Sequence, residues 1–209
     1  MATVSTSGGN WLILPKQLSI INLPLSIHSA QLRVRYGYDL IQGLGYLHEH
    51  GIAHLDIKPR NLVYTMNGPL QIIDFDAAVR VESEDTEIEG ICGTQGWRAP
   101  EIGNNEDEVA PPRFSPILAD RWSCGSVLLW LVADAGREGA VLLEIATLLL
   151  DMEPHCRLSL VGLDRWSCGS VGLYVRVRAN GHRHFSRSKR GNYPKSNEPG
   201  LHLATANVH

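Results

Sequence analysis

The run His54-Leu55-Asp56-Ile57-Lys58-Pro59-Arg60-Asn61 does most to limit what this chain can become. It follows an amphipathic stretch closed by Gly51. Beyond it lie two short apolar runs, Leu62-Val63-Tyr64 and Leu70-Gln71-Ile72-Ile73, flanking Asn67-Gly68. Asn-Gly between apolar runs is a hairpin signal. Asp56 therefore stands five residues before the amide of Asn61, and Asp74 arrives thirteen residues after that amide, past the hairpin. One acid can take a hydroxyl proton, and an amide and a second carboxylate can bind a cation. Lys58 stands between them, which puts an acid, a cation and an amide within six residues of one another.

The surrounding pattern is mostly helical. Over residues 31–50, Leu40, Ile41, Leu44 and Leu47 recur at helical spacing, and Gly51 supplies the stop. Ser115-Pro116 reads as an N-cap followed by proline at the first helical position. It opens a helix to about Val132, apolar on most sides and so expected to be buried. Ala135-Gly136 interrupts the chain, and residues 137–152 are expected to form another helix. Residues 1–30 show no clear period and form an irregular N-terminal segment, in which residues 11–14 and Ile20-Ile21 read as short strands broken by Pro15 and Pro24. Asp120-Arg-Trp-Ser-Cys-Gly-Ser-Val127 recurs at residues 164–171 with unmatched flanks, which reads as a local duplication or a defect in how the gene was assembled. Residues 163–209 combine this second copy with a basic tail expected to be disordered.

Composition excludes several classes. With 209 residues, 44% hydrophobic and 20% charged, the chain has enough apolar material for one globular core. Charge is uneven. Residues 81–108 hold nine acids against Arg98, and residues 172–209 hold seven Lys or Arg against Glu198. The first reads as a solvated acidic loop, and the second lacks the interleaved aromatics of a nucleic-acid surface. Cys92, Cys124, Cys156 and Cys168 form no CxxC pair and no zinc spacing, so free thiols in a reducing compartment, cytoplasm or nucleus, are expected. The start lacks a basic signal-peptide region, and the uncharged residues 17–32 are too short and too broken by Pro24 to span a bilayer.

The HxDxKxxN run and Asp74-Phe75-Asp76 together resemble the catalytic centre of a eukaryotic-type Ser/Thr protein kinase. Further on, Cys92-Gly93-Thr94-Gln95-Gly96-Trp97-Arg98-Ala99-Pro100-Glu101 is similar to the kinase segment ending in Ala-Pro-Glu. Asp120-Arg121-Trp122-Ser123-Cys124-Gly125 is similar to the family's buried helix. The resemblance covers about residues 35–160. It implies a mainly α (α+β) fold: a kinase-like C-terminal lobe over residues 31–162 with a small β-hairpin, the N-terminal lobe largely absent and the chain truncated. It implies ATP and Mg2+ as cofactors and a protein substrate or docking partner. Asp56 would accept the substrate hydroxyl proton, Lys58 would neutralise charge on the transferred group, and Asn61 and Asp74 would hold magnesium. Thr94 would bond the catalytic acid and lysine. Structural roles are expected for His54, for Asp120 beneath the loop, and for an Arg157–Glu101 pair.

The sequence departs from the family at several points. Leu55 replaces an arginine that would meet an activation-loop phosphate, so activity is expected not to depend on phosphorylation of Ser83, Thr86 or Thr94. Asp76 replaces a glycine and is expected to tolerate a left-handed backbone. Only a few residues separate Val132 from the next helix, where the family has a further helix and substrate-docking surface. No GxGxxG precedes His54, Lys16 is the only lysine there, and the first glutamate is Glu49. Two other readings follow. One is a catalytically inactive, pseudokinase-like binding module. The other is a small-molecule phosphotransferase of the aminoglycoside or choline kinase kind, whose HxDxxxxN loop is similar.

Overall fold

A long helix, a loop and a second helix buried beneath it organise the molecule. The computed structural model describes residues 2–6, 9–13, 17–23, 27–65, 68–103, 110–133, 135–165 and 175–177. Strands β1 (Ala2–Thr6) and β2 (Gly9–Ile13) pair antiparallel, with Ala2 opposite Ile13. Strand β3 (Leu18–Ser19) leads into a 3-10 turn at Ile20–Asn22, where Ser19 accepts a hydrogen bond from the Ile21 amide. The stretch expected to be irregular thus carries three strands, and Ile20-Ile21 is a capped turn rather than a strand. Lys16 lies outside the described residues.

Helix α1 (Ile27–Glu49) begins four residues earlier than its periodicity suggests. Tyr36, Leu40, Ile41 and Leu44 are its buried stripe, each such side chain contributing about 1.5–3 kcal/mol through burial. Gly51 ends it at φ +67°, where a Cβ would stand 2.5 Å from the Val81 carbonyl oxygen. Both the dihedral and the crowding require glycine there. Strand β4 (Ile52–Ala53) follows, then the loop 54–61. Strands β5 (Leu62–Tyr64) and β6 (Leu70–Ile72) form the expected hairpin, with Leu62 opposite Ile72. Its turn residue Asn67 lies outside the described residues. The hairpin gains a third strand, since β3 pairs with β5 through Leu18 opposite Tyr64. Ile20 and Leu23 then enter the main core, so this N-terminal apolar run folds onto the rest.

Strand β7 (Val79–Arg80) pairs with β4, and β8 (Ile88–Glu89) pairs with β9 (Arg113–Phe114). Helix α2 (Pro116–Val132) starts as expected: Ser115 Oγ accepts the Leu118 amide at 3.3 Å and proline occupies the first turn. Its buried residues lie on all sides, which makes it the central helix. Helix α3 (Ala140–Leu149) packs on it and is shorter than expected, because a 3-10 turn at Gly136–Gly139 takes up its first residues. Gly125 allows that contact; a Cβ there would lie 2.9 Å from Leu149 Cβ. Strand β10 (Leu163–Arg165) pairs with β11 (Val175–Val177). The remainder of the second octapeptide and the basic tail lie outside the described residues.

Two apolar clusters result. The larger joins α1, α2, α3 and the hairpin; the smaller comprises Ala53, Leu55, Val81, Ala99, Ile102, Phe114, Ile117 and Ala119. Leu55 roots in the smaller and Ile57 in the larger, leaving Asp56 between them turned away from both.

Candidate active site

The loop is built from below. Asp120, fully buried on α2, accepts the His54 amide at 2.6 Å, the Leu55 amide at 2.7 Å and His48 Nε2 at 3.1 Å. Those bonds hold Leu55 at φ +64°. For a bulky residue this left-handed backbone costs about 1–2 kcal/mol. His54 is also fully buried. Its Nε2 donates to the Ile73 carbonyl at 3.1 Å, its Nδ1 accepts the Asp56 amide at 3.3 Å, and its ring meets Phe75 edge-on at 4.9 Å. With both nitrogens engaged, His54 orders the backbone, the structural role expected of it. Leu55 packs in the smaller cluster, so the position where the family has arginine is a core position here.

On this base Asp56, Lys58, Asn61 and Thr94 converge. Lys58 Nζ donates to Asp56 Oδ2 at 2.6 Å and to Thr94 Oγ1 at 2.8 Å, and Thr94 Oγ1 donates to Asp56 Oδ1 at 2.7 Å. Asn61 Nδ2 donates to the Asp56 carbonyl at 2.9 Å and to Oδ2 at 3.0 Å. Burial raises the Asp56 pKa, but the hydrogen bonds from Lys58, Thr94 and Asn61 and the Lys58 charge outweigh it. The carboxyl ends below its ordinary value. It is a preorganised anion with three donors, reached from solvent on one side.

Asp74 is brought alongside but not joined to them. The Ile73 amide donates to the Asn61 carbonyl at 3.0 Å, and Phe75 leans on His54, so the residues flanking Asp74 are pinned to the loop. Its own side chain is exposed and has no hydrogen-bond partner among the described residues. The left-handed residue of this triplet is Asp74, at φ +68°, and not Asp76, whose φ is not positive. The expectation for Asp76 is corrected accordingly: the turn is made two residues earlier, where Asp74 leaves the hairpin, and Asp76 needs no left-handed backbone. Among the described residues no group of three or more His, Cys, Asp or Glu could hold a metal ion. Asn61 and Asp74 are oxygen donors of the kind hard divalent cations take, and with Nδ2 committed to Asp56, Asn61 has its Oδ1 to offer.

Glu101 and Arg157 pair as expected, at 2.6 and 2.7 Å, and the guanidinium also donates to the Leu118 and Asp151 carbonyls and lies 5.1 Å from the centre of Trp122. Two contacts had no place in the sequence reading. His48 falls four residues after Leu44 on the buried stripe of α1, and a polar residue there was the available signal. Arg121, buried in α2, pairs with Glu84 of the acidic stretch; its signal was a lone cation in a helix that is apolar apart from Asp120 and two serines.

This fold and loop define a class. The chain belongs to the protein kinase domain family, whose match spans residues 18–136, more than half of its length. It is similar to CBL-interacting serine/threonine-protein kinase 8 of Arabidopsis thaliana, 35% identical over 99 residues, 47% of this chain and 21% of that protein. It is similar to serine/threonine-protein kinase grp of Drosophila melanogaster, 37% identical over 108 residues, 51% of this chain and 19% of that protein. CBL-interacting protein kinase 9 of Oryza sativa subsp. japonica is 36% identical over 101 residues, 47% of this chain and 21% of that protein. The matched stretch is thus about a fifth of the length of these curated relatives. No helix among the described residues is long and apolar enough to cross a membrane.

Proposed function

We propose that residues 31–162 are the C-terminal lobe of a Ser/Thr protein kinase and that the loop 54–61 carries its phosphotransfer chemistry. Asp56 accepts the proton of an incoming serine or threonine hydroxyl. Lys58 holds positive charge 2.6 Å from that carboxylate, and Asn61 fixes its orientation. Asn61 Oδ1 and the Asp74 carboxylate are the oxygen donors for magnesium. When bound, Mg-ATP supplies the phosphoryl group with its charge neutralised. The partner is a protein, as substrate or docking partner, in a reducing compartment.

One observation carries this reading. The Thr94 hydroxyl donates to Asp56 Oδ1 at 2.7 Å while Lys58 donates to that hydroxyl, so the carboxylate that would accept a substrate proton is fixed in place by Lys58 and by the segment carrying Thr94. The Lys58–Thr94 contact also favours a protein over a small-molecule acceptor, because Thr94 belongs to the segment running to Ala99-Pro100-Glu101. The test is phosphorylation of Ser/Thr peptides by the full chain with Mg-ATP. Activity should fall by a factor of about 10²–10⁴ in Asp56→Asn, the range of a lost acid–base group. Nucleotide binding measured by calorimetry should disappear in Asp74→Ala. Equal turnover by Asp56→Asn and the parent would remove the assignment.

A second reading, a binding module without turnover, draws on a different observation. Phe75 is 46% exposed beside Asp74, which is exposed and has no partner among the described residues, so this rim of the loop is open to solvent. It is distinguished by an absence of Mg-ATP heat in the parent chain together with partner capture that Asp56→Ala leaves intact.

A further inference from the structure

We propose that Glu84 and Arg121 form an internal latch that holds residues 81–90 against α2 and so keeps Thr94 on Asp56 without a phosphate group. Arg121 is buried in a helix whose other neighbours are mostly apolar, and its guanidinium reaches out to Glu84 Oε2 on the acidic stretch. Nη1 also donates to the Arg157 carbonyl and Nη2 to Ser159 Oγ, both at 3.4 Å, while Nε has no partner among the described residues. Water cannot compete on the Arg121 side, so the pair differs from an exposed ion pair, which contributes little. Burial lowers the Arg121 pKa and the Glu84 charge works against that fall. Glu84 is fastened a second time, because Ser115 Oγ donates to its carbonyl at 2.5 Å while capping α2.

From Glu84 the ties run on towards the loop. Ile88 pairs with Phe114, the Gly90 amide donates to the Pro112 carbonyl at 3.1 Å, and Arg98 Nη2 donates to the Gly93 carbonyl at 2.9 Å. Thr94 is the next residue. Arg113 reaches Glu87 and Glu89 as well, but all three are exposed and add little. A phosphate on Ser83 or Thr86 would lie among Glu82, Glu84, Asp85 and Glu87, where like charge repels it. Leu55 is apolar and buried, and the buried cation at the base of the segment is already taken by Glu84.

Arg121 acts through Glu84 and is a positioning residue. Amide hydrogen exchange on the full chain tests it, comparing the parent with Glu84→Gln, Glu84→Asp, Arg121→Met and the double variant Glu84→Gln/Arg121→Met. In Glu84→Gln the amides of residues 84–94 should exchange about ten-fold faster, the loss expected for one charge-assisted bond, with α1 unchanged. Glu84→Asp, which keeps the charge, should recover most of that protection. The double variant should be no faster than the faster single one. Exchange within about two-fold of the parent in Glu84→Gln, additive single effects, or no recovery with aspartate would overturn the latch. Exchange is read without nucleotide, so it tests the latch by itself. The consequence for transfer rests on the proposed role of Asp56 and is read separately, as loss of peptide phosphorylation in Glu84→Gln.

Discussion

The underside of the loop 54–61 and its outer rim are built on opposite principles. Below, Asp120 is fully buried and accepts three hydrogen bonds, and Arg157 fills its donors on Glu101 and two carbonyls. Above, Asp74 is exposed with no partner among the described residues. The same side chain, aspartate, is a brace in one place and an uncommitted, exposed carboxylate in the other. A buried carboxylate must be satisfied by the protein itself, whereas an exposed one is hydrated until something displaces the water. Stability should therefore concentrate below the loop and binding above it.

Removing the brace should have the largest effect. Asp120→Ala leaves the His54 and Leu55 amides and His48 Nε2 unpaired in the interior, and urea unfolding should show a loss of about 3–5 kcal/mol. A loss under about 1 kcal/mol would mean that water replaces the carboxylate and that the underside is not closed.

Asp56, between the two regions, should give an intermediate effect confined to acid. Its folded-state pKa lies below the unfolded value of about 3.9, so its stabilising contribution is complete above that pH. The contribution is lost as pH falls through the folded pKa. Asp56→Asn should flatten that acid limb of the stability curve and leave its shape near neutral pH unaltered. An unchanged acid limb would show that the three donors do not favour the anion.

The smallest effect on folding should come from the rim. Asp74→Ala should cost up to about 1 kcal/mol in the same urea experiment, because the exposed side chain holds nothing in place but alanine sits less easily than aspartate on a left-handed backbone. The left-handed backbone at Asp74 sharpens the comparison. Asp74→Gly should keep or slightly raise stability, since glycine adopts that conformation without strain, while removing the carboxylate.

Where the sequence was legible, one local rule sufficed. The α1 stripe, the Gly51 stop and the Ser115-Pro116 start each follow from spacing or capping within a few residues. The convergence of Asp56, Lys58, Asn61 and Thr94 was readable only through family resemblance, because Thr94 lies 38 residues from Asp56. Other features depended on distant context. The first octapeptide copy is helical throughout, following the Ser115 cap, whereas the second copy begins in β10, with Asp164 and Arg165 paired to β11. The same residues take different backbones because caps and partner strands decide, not intrinsic preference. Residues 81–90 read as a solvated acidic run because the partner of Glu84 lies 37 residues away, inside a helix.

The placement of Leu55 and Ile57 in separate apolar clusters has a mechanical consequence. Asp56 stands on the seam between two apolar clusters that meet along α2, anchored to each by an immediate neighbour. A shift in the packing of either cluster therefore reaches that carboxylate through a single peptide unit.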